Sequence, residues 1–120
     1  MKKFAFPLLT LLLAYTLSAG NVFVLKSTRF KAPGVPELLK KVLAEGEAAL
    51  PANTKPVEVY AGSVKNEPFA SVFKKHLPGK KLEYDGYAVV VSGRKVYLIG
   101  NVERAVIYAA NDFLERQAGF

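Results

Sequence analysis

The hydrophobic positions of this chain recur with a period of two in some segments and with a helical period in others. Residues 21–27, NVFVLKS, are apolar on both faces, which predicts a strand that is covered on both sides or lies inside a sheet. Residues 31–34, KAPG, interrupt the pattern, and a helix is predicted from about Pro36 to a stop at Pro51. Gly46 lies in the middle of this helix, where it would permit close packing on the sheet. The apolar stripe of the helix comprises Leu38, Leu39, Val42, Leu43, Ala49 and Leu50.

The middle of the chain predicts a further strand, a short helix and a hairpin. The strand covers residues 57–61, and the short helix covers residues 66–77, before Pro78-Gly79 ends it. Two apolar runs, residues 84–91 and 95–99, are joined by Ser92-Gly93-Arg94, which is typical of a β-hairpin whose glycine supplies a positive φ. Both runs are apolar on both faces. We therefore expect helices on one side of the hairpin and another layer on the other.

The predicted order of elements is β-α-β-(α)-β-β-α. A strand, helix and strand in succession predict a right-handed crossover between parallel strands, whereas the hairpin must be antiparallel. The fold class is therefore expected to be α+β, with a mixed sheet of about four strands and the two long helices packed on one face.

The segment that follows the hairpin predicts a strong closing helix with Asn101 as its N-cap. Ile107 and Leu114 lie on a flank of its apolar face and widen the apolar arc to about 200°, whereas about 100° suffices for packing on one layer. We therefore expect a further surface to cover this flank, either from another body or from loops of the same domain such as residues 51–55. The main face of the helix consists of Val102, Ala105, Val106, Ala109, Ala110 and Phe113.

Residues 1–20 have the features of a secretory signal peptide. Two lysines precede an apolar run over residues 4–17, and small residues end the segment at Gly20. We predict cleavage after Gly20 and export, into the periplasm or out of the cell, of a domain that comprises residues 21–120. A membrane anchor is the alternative, but the apolar run is shorter than the about 20 residues that a spanning helix needs. We expect no membrane span after cleavage.

Length and composition favour one folded domain. With 51% hydrophobic and 22% charged residues, the chain lies far from the composition of disordered proteins. Its 120 residues are too few for a barrel enzyme, which needs about 250. It contains no cysteine, so disulfides and thiolate metal sites are excluded.

The net charge is moderately basic. The formal charge of +7 falls to +5 once the two lysines of the signal peptide are removed. The basic residues concentrate at positions 26–31, 74–76 and 80–81, without the interleaved aromatic side chains of a nucleic-acid platform, so we expect no nucleic-acid partner. A solvated basic surface is one interpretation, and attraction to an anionic polysaccharide is the other.

The residues do not form a catalytic pattern. His76 is the only histidine, and no serine has a nucleophile-elbow context. We expect no catalytic residue, metal or cofactor in this chain. The acidic residues near the hairpin and the closing helix are interpreted as solvated, as capping, or as partners of Arg104 or Arg116; they are Asp85, Glu103, Asp112 and Glu115.

The hairpin and closing helix carry a resemblance to a known group of domains. Residues 85–91, DGYAVVV, residues 96–100, VYLIG, and residues 104–116, RAVIYAANDFLER, resemble the non-catalytic amino-terminal domain of family 67 α-glucuronidases and family 20 β-hexosaminidases. In that group a similar run, with R-G-x-x-Y-A and F-L-E motifs, closes a small α+β domain before a catalytic (β/α)8 barrel. Ala105 replaces a frequent glycine of the group, and the adjacent Asp-Glu pair that family 20 carries on its barrel does not occur here.

The resemblance implies an exported accessory domain without catalytic activity that supports a glycosidase barrel or a partner chain. The interface or structural residues that it implies lie on the closing helix; they are Arg104, Ile107, Tyr108, Phe113 and Leu114. The alternative is a free-standing module of the cell envelope that holds an acidic glycan through the basic residues of positions 74–81.

Overall fold

The structure is a computed structural model that describes residues 22–26, 30–51 and 54–118. The predicted signal peptide lies outside the described residues. The elements in chain order are strand β1 (Phe23–Leu25), helix α1 (Val35–Ala48), strand β2 (Val57–Ser63), helix α2 (Phe69–His76), strand β3 (Tyr87–Ser92), strand β4 (Lys95–Gly100) and helix α3 (Ala105–Ala118).

Four strands form one mixed sheet in the order β1-β2-β4-β3. The pairs β1–β2 and β2–β4 are parallel, and the hairpin pair β3–β4 is antiparallel, with Ser92 opposite Lys95 at the turn. Gly93 occupies that turn with a φ of 62°, as the hairpin pattern predicts. The α+β class, the mixed four-stranded sheet and the predicted order of elements are confirmed.

The larger core lies between the sheet and the two long helices. Because side chains alternate along a strand, Val59 and Ala61 point to the face that α1 and α3 cover, and Val96 and Leu98 of β4 point the same way. The residues that the two helices contribute to this core are Val35, Leu39, Leu43, Val106, Ala109, Ala110, Phe113 and Leu114.

A second, smaller core lies on the opposite face under α2. Phe69 and Phe73 of this helix pack against Ala88, Val90 and Ile99 of the hairpin. This second layer explains why both hairpin strands are apolar on both faces. The helix approaches β2 closely at Gly62, where a Cβ atom would lie 2.7 Å from Cδ2 of Phe69.

The first strand and the first helix differ from the sequence predictions. Strand β1 is only three residues long and forms an edge of the sheet, so Val24 remains 36% exposed because α2 packs over the other strands. The prediction of an interior strand was wrong. Helix α1 begins at Val35, and its buried face consists of Val35, Leu39, Leu43, Gly46 and Glu47; Leu38 lies outside this face and is 47% exposed instead of belonging to the stripe.

Gly46 and Glu47 of α1 also differ from the sequence predictions. Gly46 faces α3 and not the sheet, because a Cβ atom there would meet Leu114. Glu47 is buried to 8% exposure, and its Oε2 accepts a hydrogen bond of 2.6 Å from the backbone N–H of Phe23. The helical pattern predicts that a charged residue such as Glu47 is solvated, but here its carboxylate binds the edge strand β1 to helix α1.

Candidate functional site

The five residues expected at an interface on the closing helix separate into an inner group, Ile107, Phe113 and Leu114, and an outer group, Arg104 and Tyr108. Phe113 and Leu114 are buried at 4% and 2% exposure, and Ile107 is half-buried against the larger core. Tyr108 is 47% exposed, and the side chain of Arg104 is 70% exposed.

On the apolar flank of the closing helix, Leu114 is covered by α1. A Cβ atom on Gly46 would lie 2.8 Å from Cδ1 of Leu114, so the leucine side chain contacts the backbone of α1 directly. The expected covering surface of Leu114 is therefore present within the same domain and includes helix α1, whereas residues 52–53 of the alternative loop lie outside the described residues. Only the outer group remains available to another molecule.

The residues that carry the resemblance meet at one corner of the fold. Arg104 Nη2 lies 3.0 Å from Asp85 Oδ1, which links the start of α3 to the turn before β3. Asn101 donates from its backbone N–H to Gly86 O at 2.9 Å and from Nδ2 to Tyr84 O at 2.9 Å. A Cβ atom on the neighbouring Gly100 would collide with the carbonyl oxygen of Val102. This corner holds the hairpin against α3 by tight backbone packing and surface polar contacts.

A second polar group joins the outer side of α3 to the edge strand β3. Tyr87 donates its hydroxyl to Asp112 Oδ2 at 3.1 Å, and Arg116 donates from Nε to Asp112 Oδ1 at 2.6 Å. The Arg116 hydrogen bond, followed by that from Tyr87, lowers the pKa of Asp112, although partial burial opposes the shift. Burial and then the hydrogen bond to Asp112 raise the pKa of Tyr87. Asp112 is therefore held as a carboxylate, whereas a general acid must carry a proton.

An open cleft of about 780 Å³ lies at the carboxyl ends of β1 and β2, where it borders residues 60–62 of β2. Parallel strands end at the same edge of a sheet, and the loops that leave this edge form the walls of the cleft. Its volume falls in the range of small-molecule sites. Among its lining side chains are Lys26, Phe30, Lys31, Tyr60, Asn66 and Phe69.

Two carboxylates line the cleft, and both accept backbone hydrogen bonds. Glu103 accepts from the N–H of Lys31 at 2.9 Å and from the N–H of Ala32 at 2.7 Å, which ties the segment after β1 to the start of α3. Glu67 Oε1 accepts from the N–H of Ser71 at 3.2 Å in the first turns of α2. Each carboxylate thus orders a wall of the cleft. From the sequence, Glu103 is interpreted as solvated, as capping, or as a partner of Arg104 or Arg116; the structure instead shows it bound to the backbone of residues 31–32.

One wall of the cleft is an aromatic surface. Tyr60 of β2 and Tyr97 of β4 are directly paired in the sheet, and their rings stack with centroids 5.1 Å apart at 19°. The Tyr60 hydroxyl donates to Glu58 Oε1 at 3.0 Å, and this hydrogen bond raises the pKa of Tyr60. The stack holds Tyr60 in one orientation where it borders the cleft.

The basic residues of positions 74–81 lie away from the cleft. Lys74, Lys75 and His76 occupy the exposed last turn of α2, where positive charge complements the negative end of the helix dipole, and Lys80 and Lys81 follow in an exposed segment. The cleft instead borders the opposite end of α2, near Phe69.

A smaller pocket of about 210 Å³ lies near the hairpin turn and is lined mainly by apolar side chains, among them Val22, Val91 and Phe113.

Within the described ranges, no three acidic, histidine or cysteine side chains converge as metal ligands. None of the helices described is sufficiently long and apolar to cross a lipid bilayer.

Comparisons with protein-family models, with curated proteins and with solved structures found no match to this chain. The fold and the site define a small α+β body with an open cleft at one edge of its sheet and a polar corner that joins the hairpin to the closing helix.

Proposed function

We propose that this chain is an exported accessory domain of the glycoside-hydrolase type, related to the amino-terminal domains of α-glucuronidases and β-hexosaminidases, that has no catalytic activity of its own. The observation that carries the proposal is the corner at Asp85, Gly86, Gly100 and Arg104. The positions on which the resemblance rests are used there to hold the hairpin against the closing helix. These positions therefore stabilise the fold, which is the role expected of them in a non-catalytic accessory domain.

The carboxylates of the domain support the same proposal. Glycoside hydrolysis uses a protonated and an ionised carboxyl group about 5 to 10 Å apart across a sugar site. Asp85 pairs with Arg104, Asp112 pairs with Arg116, and Glu103 accepts backbone hydrogen bonds. Each of these three carboxylates takes part in a contact that joins two segments of the fold or two turns of a helix.

The partner of the accessory domain is a catalytic barrel or a separate chain. The surface offered to it is the outer side of α3 together with the residue before the helix: Arg104 and Tyr108 are exposed, and Ile107 is half-buried. An exposed tyrosine beside an arginine is a common composition for the centre of a protein interface.

Turnover of glycosides tests this proposal. Purified protein is incubated with 4-nitrophenyl α- and β-glycosides, including a β-N-acetylglucosaminide, and we expect no release of nitrophenol above the buffer rate. Reproducible turnover that remains with the protein through a second purification step would contradict a non-catalytic role. Sequencing the genomic DNA downstream tests the partner, since a frame that encodes βα repeats is expected there or in an adjacent gene.

A second candidate function is a free-standing module of the cell envelope that holds an acidic glycan. The exposed bases at the end of α2 and at positions 80–81 favour it, because clustered positive charge attracts polyanions. A glycan array read at low and high salt tests it, since charge-driven binding weakens as salt rises. Binding that does not depend on salt would contradict this candidate.

A further inference from the structure

We propose that the cleft beyond β1 and β2 binds a carboxylated sugar, such as a uronic acid unit of an acidic glycan. The proposal goes beyond the accessory role, because it holds whether or not a barrel accompanies the domain. It also places glycan binding at a different surface from the basic cluster at the end of α2.

The aromatic walls of the cleft suit the ring of a sugar. Tyr60 is half-buried and stacks with Tyr97, so its ring is held in place where it borders the cleft; Phe69 is only 5% exposed and contributes an edge of the wall, not a stacking face. Phe30 packs partly against the larger core. A pyranose ring presents an apolar face of C–H groups, and ligand sites pair such faces with rigid aromatic surfaces that need no reordering on binding.

The cleft also offers two ammonium groups for a carboxylate. Lys26 and Lys31 line it, and among the described residues neither side chain forms an ion pair. Their backbones are held in place, since Lys26 N–H donates to Val59 O at 2.8 Å and Lys31 N–H donates to Glu103. Glu103 thus places one of the two lysines.

Polar groups at the rim of the cleft suit sugar hydroxyls. Asn66 and Glu67 both line it, and both side chains are exposed. The amide of Asn66 can donate and accept, and a carboxylate such as that of Glu67 can accept from two adjacent hydroxyls. The cleft thus combines an aromatic face, two cations and polar acceptors. This set matches a sugar ring that carries both hydroxyls and a carboxylate, whereas a simple inorganic anion would use only the cations.

The smaller pocket near the hairpin turn provides a contrast. It is lined mainly by apolar side chains, with Arg94 as its charged residue among the described lining residues. A hydroxyl-rich ligand would lose hydrogen bonds to water there without replacement. The chemistry of an acidic sugar therefore favours the larger cleft.

Titration calorimetry with the purified full protein tests the proposal. The probe is trigalacturonic acid, and maltotriose serves as the uncharged comparison. The double variant Lys26→Ala/Lys31→Ala removes the cations of the cleft, and Lys74→Ala/Lys75→Ala removes the same charge at the far end of α2. We expect the first variant to weaken binding of the acidic trimer by roughly 10-fold or more and the second by less than about 2-fold.

A third variant separates the ring contact from charge. Tyr60→Leu keeps an apolar side chain in the sheet but removes the flat surface, and we expect it to weaken binding by about 3- to 10-fold with an unchanged salt dependence. Circular dichroism confirms the fold of each variant. Equal losses in both lysine variants, equal affinity for maltotriose, or no binding of the acidic trimer at millimolar concentration would each overturn the proposal. Turnover of a glycoside would instead contradict only the non-catalytic role.

Discussion

Replacement of Leu114 tests whether the flank of the closing helix is internal. The side chain is 2% exposed and lies against the backbone of α1 at Gly46. Leu114→Ala removes three buried carbon atoms at about 0.8 kcal/mol each, or about 2.4 kcal/mol in transfer free energy. Helix α1 cannot collapse fully into the space, so a cavity term raises the expected loss in the free energy of unfolding to about 3 kcal/mol.

The effect of Gly46→Ala on the free energy of unfolding should change sign when Leu114 is also replaced. Gly46→Ala gains about 1 kcal/mol in helix propensity, but its Cβ would lie 2.8 Å from Cδ1 of Leu114, and such overpacking costs about 1 to 3 kcal/mol. Alone it should therefore destabilise the domain by up to about 2 kcal/mol. In the Leu114→Ala background the clash is absent and the new methyl group fills part of the cavity. There the same substitution should stabilise the domain by about 1 kcal/mol.

Urea unfolding followed by far-UV circular dichroism measures all four proteins of this cycle. Leu38→Ala is the matched control, because this leucine lies on α1 at 47% exposure, and its loss should stay below about 1 kcal/mol. If Leu114→Ala costs no more than Leu38→Ala, the two helices do not pack as described. If Gly46→Ala has the same effect in both backgrounds, the direct contact between Gly46 and Leu114 is refuted.

Three further predictions concern the corner, the pH dependence and the amino terminus. Gly100→Ala should lower the Tm strongly, because its Cβ would collide with a backbone carbonyl; a Tm within 2 °C of wild type, on the order of the shift from 0.5 kcal/mol, would contradict the described corner. The pKa of Asp112 is lowered in the fold, so its contribution to stability is present above its ordinary value of 3.8 and is lost as the pH falls through the lower folded pKa. The stability difference between wild type and Asp112→Asn should therefore shrink below pH 3.8, and a difference that is constant from pH 7 to pH 2 would refute the pairing. Mass spectrometry of the protein recovered from the periplasm or medium should find Asn21 at the amino terminus, and an intact Met1 would contradict cleavage.

The residues that carry the resemblance and the residues that form the cleft lie largely in different parts of the chain. The resemblance is strongest over residues 82–120 and looser over the strand at residues 57–62 and the first helix, and its key positions lie at a corner that supports the fold. The cleft is formed largely by other residues, at positions 26, 30–31, 60–62 and 66–69. Supporting a barrel and holding a sugar would therefore use separate surfaces, and the calorimetric and turnover measurements can fail independently.

The sequence by itself determined the elements of this protein and their order. Alternation in the hairpin runs, with Gly93 between them, and the helical period after Asn101 are local signals, because each follows from the geometry of a single strand, turn or helix. The parallel pairing of β1 with β2 followed from the crossover rule. Periodicity also showed correctly that Leu114 must be covered.

Only the tertiary structure decided what covers each apolar face and where a site forms. Helix α1 covers Leu114, and Glu47 bonds to Phe23 across 24 residues, yet neither partner has a signal in the local pattern. The cleft gathers side chains from segments between Lys26 and Glu103 that meet only when the parallel strands end at one edge. A sequence period records which side of an element avoids water, but it holds no information about the distant surface that excludes the water.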